Sequence, residues 1–136
     1  MNPIGIMQGR LSPPTDGRIQ SFPLETWREE FALAREAELD CIEWIYEVGT
    51  DTVNPLGTEI GLAEIRQLQE TWSIEVWSIC ADYYMVKQLV TPEGAPNKLN
   101  VQHLCWLLGQ AGKLGVRYVV LPFVDSSSLK SRHAIR

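Results

Sequence analysis

The segment CIEWIYE at residues 41–47 is apolar along most of its length, rich in β-branched and aromatic residues, and ends in a glutamate. That composition is typical of a buried β-strand. Three other segments share this character and also end in polar or reactive residues: IGIMQGR at 4–10, VWSICAD at 76–82 and YVVLPFVD at 118–125. Because α/β folds place their chemistry at the carboxyl ends of strands, the four segments predict four strands whose ends build one site.

A stretch with helical spacing separates each pair of predicted strands. The first predicted helix spans residues 23–37. The second begins after Thr58, a favourable capping residue, and the third ends at Gly115, where a left-handed glycine belongs. Residues 125–136 predict a loop, a serine cap and the first turns of another helix.

This order of elements predicts an α/β fold made of parallel βα repeats. Each connection has room for a helix, and crossovers between parallel strands are right-handed. Two architectures remain open at this point. One is a four-stranded, open, doubly wound sheet, and the other is half of a (βα)8 barrel. Periodicity alone does not separate them.

The composition predicts one soluble domain over the 136 residues, with 45 % hydrophobic and 21 % charged residues. The formal net charge is −5 and no basic block is present, which argues against a nucleic-acid partner. No apolar run approaches the roughly 18 residues of a membrane span, so no membrane partner is expected. Three scattered cysteines without a CxxC pair, and an amino terminus without a secretory pattern, predict a cytoplasmic protein.

Two charged residues at the first two strands are candidates for ligand binding. Glu43 lies inside an apolar strand, where a carboxylate must be paired, hydrogen-bonded or in a cavity. It is either a pocket carboxylate that binds a hydroxyl or stays protonated, or one partner of a structural ion pair with an arginine such as Arg10. Arg10 ends the first strand and could clamp a phosphate or carboxylate, pair with Glu43, or lie on the surface.

Two aspartates follow the later strands. Asp82 could position a sugar hydroxyl or cap a turn. Asp125, followed by three serines, could open a helix whose N–H groups hold phosphate, or it could be a plain N-cap. The two histidines, His103 and His133, are too far apart in sequence to suggest a metal cluster. No complete catalytic constellation can be assembled, and we assign no catalytic or metal-binding residue.

Taken together, four segments resemble one family. They are IGIMQGRL at 4–11, DCIEWIYE at 40–47, SICADYYM at 78–85 and VLPFVD at 120–125. The chain is similar in these segments to the sugar phosphate isomerase/epimerase group of xylose isomerase-like TIM barrels, which includes hexulose-6-phosphate isomerases and L-ribulose-5-phosphate 3-epimerases. The resemblance implies that residues 1–136 form a single partial domain, the N-terminal half of a (βα)8 barrel with about four βα units.

The resemblance also implies a chemistry. Its members bind a sugar or sugar phosphate and a divalent metal (Mn, Mg or Zn), and two glutamates transfer a proton between sugar carbons with help from the metal. The metal ligands lie in the second half of the barrel, so none can be carried over to this chain. The residues at the strand ends, Arg10, Glu43, Asp82 and Asp125, are then expected as substrate contacts. Glu38 departs from the family pattern, which has glycine there, at a cost of about 1 kcal/mol if the turn is left-handed.

Four functions are therefore weighed. The first is a sugar or sugar phosphate isomerase or epimerase, with metal-assisted proton abstraction in the full-length protein. The second is a non-catalytic half-barrel fragment that forms a homo-oligomer through its open edges. The third is a metal-dependent apurinic-site endonuclease of the same superfamily, against which the acidic charge counts. The fourth is a lone flavodoxin-like regulatory or binding domain, and the lack of an acidic phospho-acceptor pocket or a nucleotide loop in this sequence counts against it.

Overall fold

The computed structural model describes residues 2–129 and shows a four-stranded, all-parallel sheet. The strands are β1 (Gly5–Met7), β2 (Cys41–Ile45), β3 (Glu75–Cys80) and β4 (Tyr118–Val120), and their spatial order is β1-β2-β3-β4. The predicted α/β fold of parallel βα units is confirmed. The order never reverses, whereas a doubly wound sheet reverses at its switch point.

Four helices join the strands: α1 (Glu29–Glu36), α2 (Glu59–Trp72), α3 (Tyr83–Val86) and α4 (Lys98–Leu114). The predicted boundaries of the two long helices are confirmed. The side chain of Thr58 accepts a hydrogen bond from the N–H of Gly61, and Gly115 ends α4 with a φ of 75°. These bonds satisfy backbone groups that a helix end otherwise leaves unpaired.

The first helix begins later than the prediction of residues 23–37. Residues before Glu29 form consecutive turns, in which the N–H groups of Thr26 and Trp27 both donate to the carbonyl of Pro23. The ring of Trp27 lies 5.5 Å from that of Trp44 in an edge-on contact. The apolar spacing is therefore satisfied by turns that bury Trp27, without a regular helix.

Two further differences concern short elements. The structure contains α3, which was not predicted because four residues are too few to show a periodic pattern. After β4, residues 125–127 form a single 3₁₀ turn. The rest of the helix predicted in the tail, residues 130–136, lies outside the described residues.

The helices cover one face of the sheet. Helix α1 packs against α2, and α2 packs against α4. Between these helices and the sheet lies the hydrophobic core, whose members include the fully buried Ile42, Trp44, Leu62, Ile65 and Ile79. Burial of each such side chain stabilises the fold by about 2 kcal/mol.

The opposite face of the sheet is open. Met7 pairs with Glu43, and Glu43 pairs with Ser78, and these three side chains are only partly buried. At β4, Tyr118 is 62 % exposed and Val120 is 43 % exposed. Parallel sheets are normally covered on both faces, but in residues 2–129 this sheet is covered on one face alone. None of the helices in residues 2–129 combines the length and apolarity required of a membrane span.

Candidate functional site

A β-bulge decides which residue faces Glu43. Ile42 pairs with Val76 but Glu43 pairs with Ser78, so Trp77 is an extra residue in β3. Because the bulge places both Trp77 and Ser78 between two core-facing residues, the hydroxyl of Ser78 reaches the open face. There it donates to Oε2 of Glu43 over 2.6 Å.

Glu43 lies in a hollow of about 240 Å³ on the open face, the sheet-face hollow, lined by Gly5, Ile6, Met7, Cys41, Glu43, Trp77 and Ser78. The carboxylate forms no salt bridge within the described residues, so the ion pair with Arg10 is not formed. The Arg10 guanidinium instead contacts the sulfur of Met7 through Nη2, at 4.0 Å. Of the two interpretations left open for Glu43, the hydrogen-bonded pocket carboxylate agrees with this geometry.

The long loop between β1 and α1 is anchored at its start by a buried carboxylate. Glu30, which is fully buried, accepts hydrogen bonds from the N–H groups of Gly9 and Ser12 and from the Ser12 hydroxyl. Gly9 has a φ of 75°, and an added Cβ would lie 2.7 Å from the carbonyl oxygen of Ser21. The glycine therefore permits a close approach within the loop itself.

A second carboxylate anchors the end of the same loop. Oε1 of Glu47, which follows β2, accepts from the Ser21 hydroxyl at 2.8 Å and from the Phe22 N–H at 2.7 Å. Oε2 of Glu47 lies 3.7 Å from the Arg18 guanidinium. These contacts hold the loop across the carboxyl end of β2.

The loop thereby closes one side of a cavity of about 360 Å³, the loop cleft, lined by Arg18, Gln20, Glu47, Val48, Asp82, Met85 and Val86. This cleft lies at the carboxyl ends of β2 and β3, where parallel α/β folds bind their ligands. Its lining combines charged and amide side chains with apolar ones. Such a mixture is typical of small-molecule sites.

Asp82 is held in place from two sides. Its Oδ2 accepts from the Gln20 amide at 2.6 Å, and its Oδ1 accepts from the Cys80 thiol at 3.2 Å. Asp82 precedes α3 but its side chain makes no capping bond, so the capping interpretation is wrong. Burial, with a further contribution from Asp82, raises the pKa of the Cys80 thiol to about 12. Cys80 is therefore an unreactive buried thiol at neutral pH.

The four residues predicted as substrate contacts do not share one cavity. Glu43 lines the sheet-face hollow and Asp82 lines the loop cleft, while Arg10 and Asp125 line neither. Asp125 is exposed and begins the 3₁₀ turn after β4. This turn contacts α3, where the Ser126 hydroxyl donates to the carbonyl of Met85. The predicted roles of Arg10 and Asp125 remain predictions.

Three functional candidates escaped the sequence reasoning: Arg18, Gln20 and Glu47. Glu47 had a signal as the polar end of segment 41–47, whereas for Arg18 and Gln20 the available signal was the unusual length of the connection after β1, since long connections of this kind are often functional. No periodic pattern within the loop indicates which of its polar side chains turn inward.

A histidine between two tyrosines was also not foreseen. Nε2 of His103, on α4, lies 3.2 Å from the Tyr46 hydroxyl, and Nδ1 lies 2.9 Å from the Tyr84 hydroxyl. The imidazole stacks on Tyr83 with 4.5 Å between ring centroids. Burial lowers the pKa of His103, against a weaker opposing effect from Asp51. This array joins α3 and α4 to the end of β2.

The side chains of residues 2–129 do not bring three or more histidines, cysteines, aspartates or glutamates together as ligands for a metal ion. The divalent metal implied by the resemblance therefore does not fit any cluster in this part of the chain. Neither a scan against protein-family models nor a search of curated proteins finds a match to the chain.

Proposed function

We propose that this chain forms the sugar-binding wall of a sugar or sugar phosphate isomerase or epimerase with a (βα)8 barrel of the xylose isomerase type. The proposal rests on the sequence resemblance, and the unreversed parallel order β1-β2-β3-β4 supports it. In such a barrel each strand lies beside its sequence neighbour, and the loops at the carboxyl ends of the strands bind the substrate.

Among the structural observations, the loop cleft gives this proposal its main support. It offers hydrogen-bond acceptors on Asp82 and Glu47 and donors on Gln20 and Arg18, beside the apolar side chains of Met85 and others. A sugar has the matching chemistry, because each hydroxyl both donates and accepts and the C–H groups pack on apolar surface. The polar groups already hold one another in fixed positions, which reduces the entropy cost of binding.

The open face of the sheet supports the barrel architecture. A parallel sheet with only one covered face and unpaired strands at both edges leaves core surface in water. Four further βα units would pair with β4 and β1 and enclose the sheet-face hollow. In this proposal Glu43 then projects into the barrel interior, below the substrate.

The metal-assisted proton transfer belongs, in this proposal, to the full-length enzyme. No ligand set for the metal is found in residues 2–129, and we assign no step of the reaction through a metal to them. The proposed tasks of this chain are to bind and orient the sugar and to exclude water from one side of it.

Saturation-transfer NMR with the purified chain tests the binding role. We expect saturable binding of ketoses, and loss of binding in Asp82→Ala, which removes the acceptor of the Gln20 amide. Glu36→Ala, an exposed change on α1, is the matched control. If no ketose binds, phosphorylated or not, the proposal fails.

A deuterium-exchange assay tests whether this chain by itself transfers protons between sugar carbons. The chain is incubated in D₂O with Mn²⁺ or Mg²⁺ and a ketose or ketose phosphate. We expect no incorporation of solvent deuterium above background. Exchange well above background would show that the chain carries catalytic groups of its own.

A second function, self-association, is favoured by the exposed edge strand. Tyr118 is 62 % exposed and Ile4, beside β1, is 63 % exposed. Two four-stranded units related by a two-fold axis could pair each β4 edge with the partner's β1 edge and close eight strands. Light scattering after size exclusion tests this: a dimer that Tyr118→Lys dissociates supports it, and a monomer at high concentration contradicts it.

A further inference from the structure

The loop cleft carries an excess of negative charge. Of the described residues that line it, Arg18 supplies the one cation, whereas Glu47 and Asp82 supply two carboxylates. The region therefore has one more negative than positive group. A partly enclosed cleft focuses the field of its charges, so an anionic group that enters meets net repulsion.

The Arg18 guanidinium is already engaged. Nη1 lies 3.7 Å from Oε2 of Glu47, and Nη2 donates to the Ser21 hydroxyl at 3.0 Å. The side chain of Glu47 is only 12 % exposed, so this carboxylate stays beside the guanidinium. A phosphoryl group that contacted the remaining N–H groups of Arg18 would share the guanidinium with this carboxylate, and the repulsion between the two anions would weaken its binding.

The neighbouring turn after β4 uses two of its N–H donors internally. Sequence reasoning allowed the residues after Asp125 to hold phosphate through their N–H groups. In the structure, the N–H of Ser127 donates to the carbonyl of Val124, and that of Ser128 donates to the carbonyl of Asp125. Both groups are satisfied within the turn.

The remaining surface suits an uncharged polyhydroxylated group. Asp82 and Gln20 form an acceptor and donor pair 2.6 Å apart, and the second lone pairs of the carboxylate and the second N–H of the amide can bond to a sugar hydroxyl beside them. Val48, Met85 and Val86 supply apolar surface beside them. Carboxylate acceptors beside apolar surface can bind a carbon chain that bears hydroxyl groups, and the ligand itself needs no charge.

We infer that the loop cleft binds the unphosphorylated end of a sugar and rejects a phosphorylated one. This inference rests on the proposed function and narrows it. A phosphate group on the substrate, if there is one, must lie at the other end of the molecule, away from Asp82 and Glu47.

Comparison of two ketoses tests the inference on the full 136-residue chain. The probes are D-fructose, D-fructose 1,6-bisphosphate, which carries a phosphate at each end, and inorganic phosphate, each titrated by saturation-transfer NMR at fixed ionic strength. We expect D-fructose to bind with an affinity about tenfold or more above that of the 1,6-bisphosphate, because either end of the bisphosphate brings a dianion to the excess carboxylate. Inorganic phosphate is expected not to displace D-fructose.

Charge variants show whether the cleft itself causes the selectivity. Asp82→Asn removes one negative charge and keeps an oxygen that can accept from Gln20, so the preference for D-fructose should shrink. Glu36→Gln makes the same change in net charge on the exposed surface of α1 and should leave the preference unchanged. Arg18→Gln removes the cation of the cleft and should widen the preference for D-fructose. It replaces Asp82→Asn as the test if circular dichroism shows that Asp82→Asn does not fold.

The outcomes separate the inference from the proposed function. Equal or tighter binding of the 1,6-bisphosphate overturns the inference and leaves the proposed function standing. An equal change in selectivity in Asp82→Asn and Glu36→Gln also overturns it, because the effect would then come from overall charge. Absence of binding by either ketose overturns both.

Discussion

The hydroxyl of Ser78 donates to Oε2 of Glu43 over 2.6 Å and joins β2 to β3 on the open face of the sheet. Ser78→Ala removes this donor and leaves a partly buried carboxylate without its partner. We expect the free energy of unfolding to fall by about 1 kcal/mol in urea titrations. Ser78→Thr keeps the hydroxyl on a residue suited to strands and should retain most of the stability. An alanine variant as stable as the threonine variant would contradict this role.

Glu30 should be far more important than its neighbour in sequence. Glu30→Ala leaves the N–H groups of Gly9 and Ser12 and the Ser12 hydroxyl without their acceptor. We expect a loss of about 3 kcal/mol in unfolding free energy and faster hydrogen exchange at both N–H groups. Glu29→Ala, on the exposed side of α1, should change stability by less than about 0.5 kcal/mol. Equal effects of the two substitutions would refute the anchoring role.

Glu38 occupies a left-handed position after α1, with a φ of 58°, which is a conformation that favours glycine. Its N–H donates to the carbonyl of Arg35, and the next N–H, of Leu39, donates to that of Ala34. Glu38→Gly should therefore raise the unfolding free energy by about 1 kcal/mol. Glu36→Gly, within α1, should lower it by about the same amount. A destabilised Glu38→Gly variant would show that the glutamate side chain has a role of its own.

The His103 array predicts a loss of stability in mild acid. Because burial lowers the pKa of His103 below its ordinary value of 6.5, folding favours the neutral imidazole. The stabilising contribution of neutral His103 to the free energy of unfolding is fully present above pH 6.5. It is lost as the pH falls through the lower pKa of the folded state. We expect His103→Phe, which keeps the stacking on Tyr83, to be less stable at neutral pH but to lack this acid-dependent component. If the unfolding free energies of the original chain and of His103→Phe fall by the same amount between neutral and mildly acidic pH, His103 is not the cause of the acid-dependent loss.

Two helical glycines should respond in opposite directions to alanine. A Cβ added at Gly61, in the first turn of α2, would overlap the carbonyl oxygen of Pro55, whereas one at Gly109 in α4 would meet no atom within 4 Å. We expect Gly61→Ala to destabilise the protein by about 2 kcal/mol or more. Gly109→Ala should stabilise it by about 1 kcal/mol. Thermal unfolding of both variants checks the pair, and a neutral Gly61→Ala would mean that residues 55–57 can move away at little cost.

Local signals in the sequence were reliable where a single side chain decides the backbone. Thr58 caps α2 and Gly115 ends α4, as their residue types predict. The strand segments alternate with long helical stretches, so parallel pairing followed from chain connectivity alone. The first helix was placed too early because the apolar spacing around Trp27 is equally compatible with buried turns. Helix α3 escaped because four residues carry no periodic signal.

The sequence by itself determined the parallel βα order, the main caps and the polar character of the strand ends, because these depend on neighbours in the chain. Only the tertiary structure decided how those polar residues group. The bulge at Trp77 places Ser78 opposite Glu43. Bonds to Glu30 and Glu47 fix the path of the loop after β1 and bring Gln20 within 2.6 Å of Asp82, 62 positions further along the chain. Such contacts depend on register and on the course of an irregular loop, and neither leaves a periodic trace in the sequence.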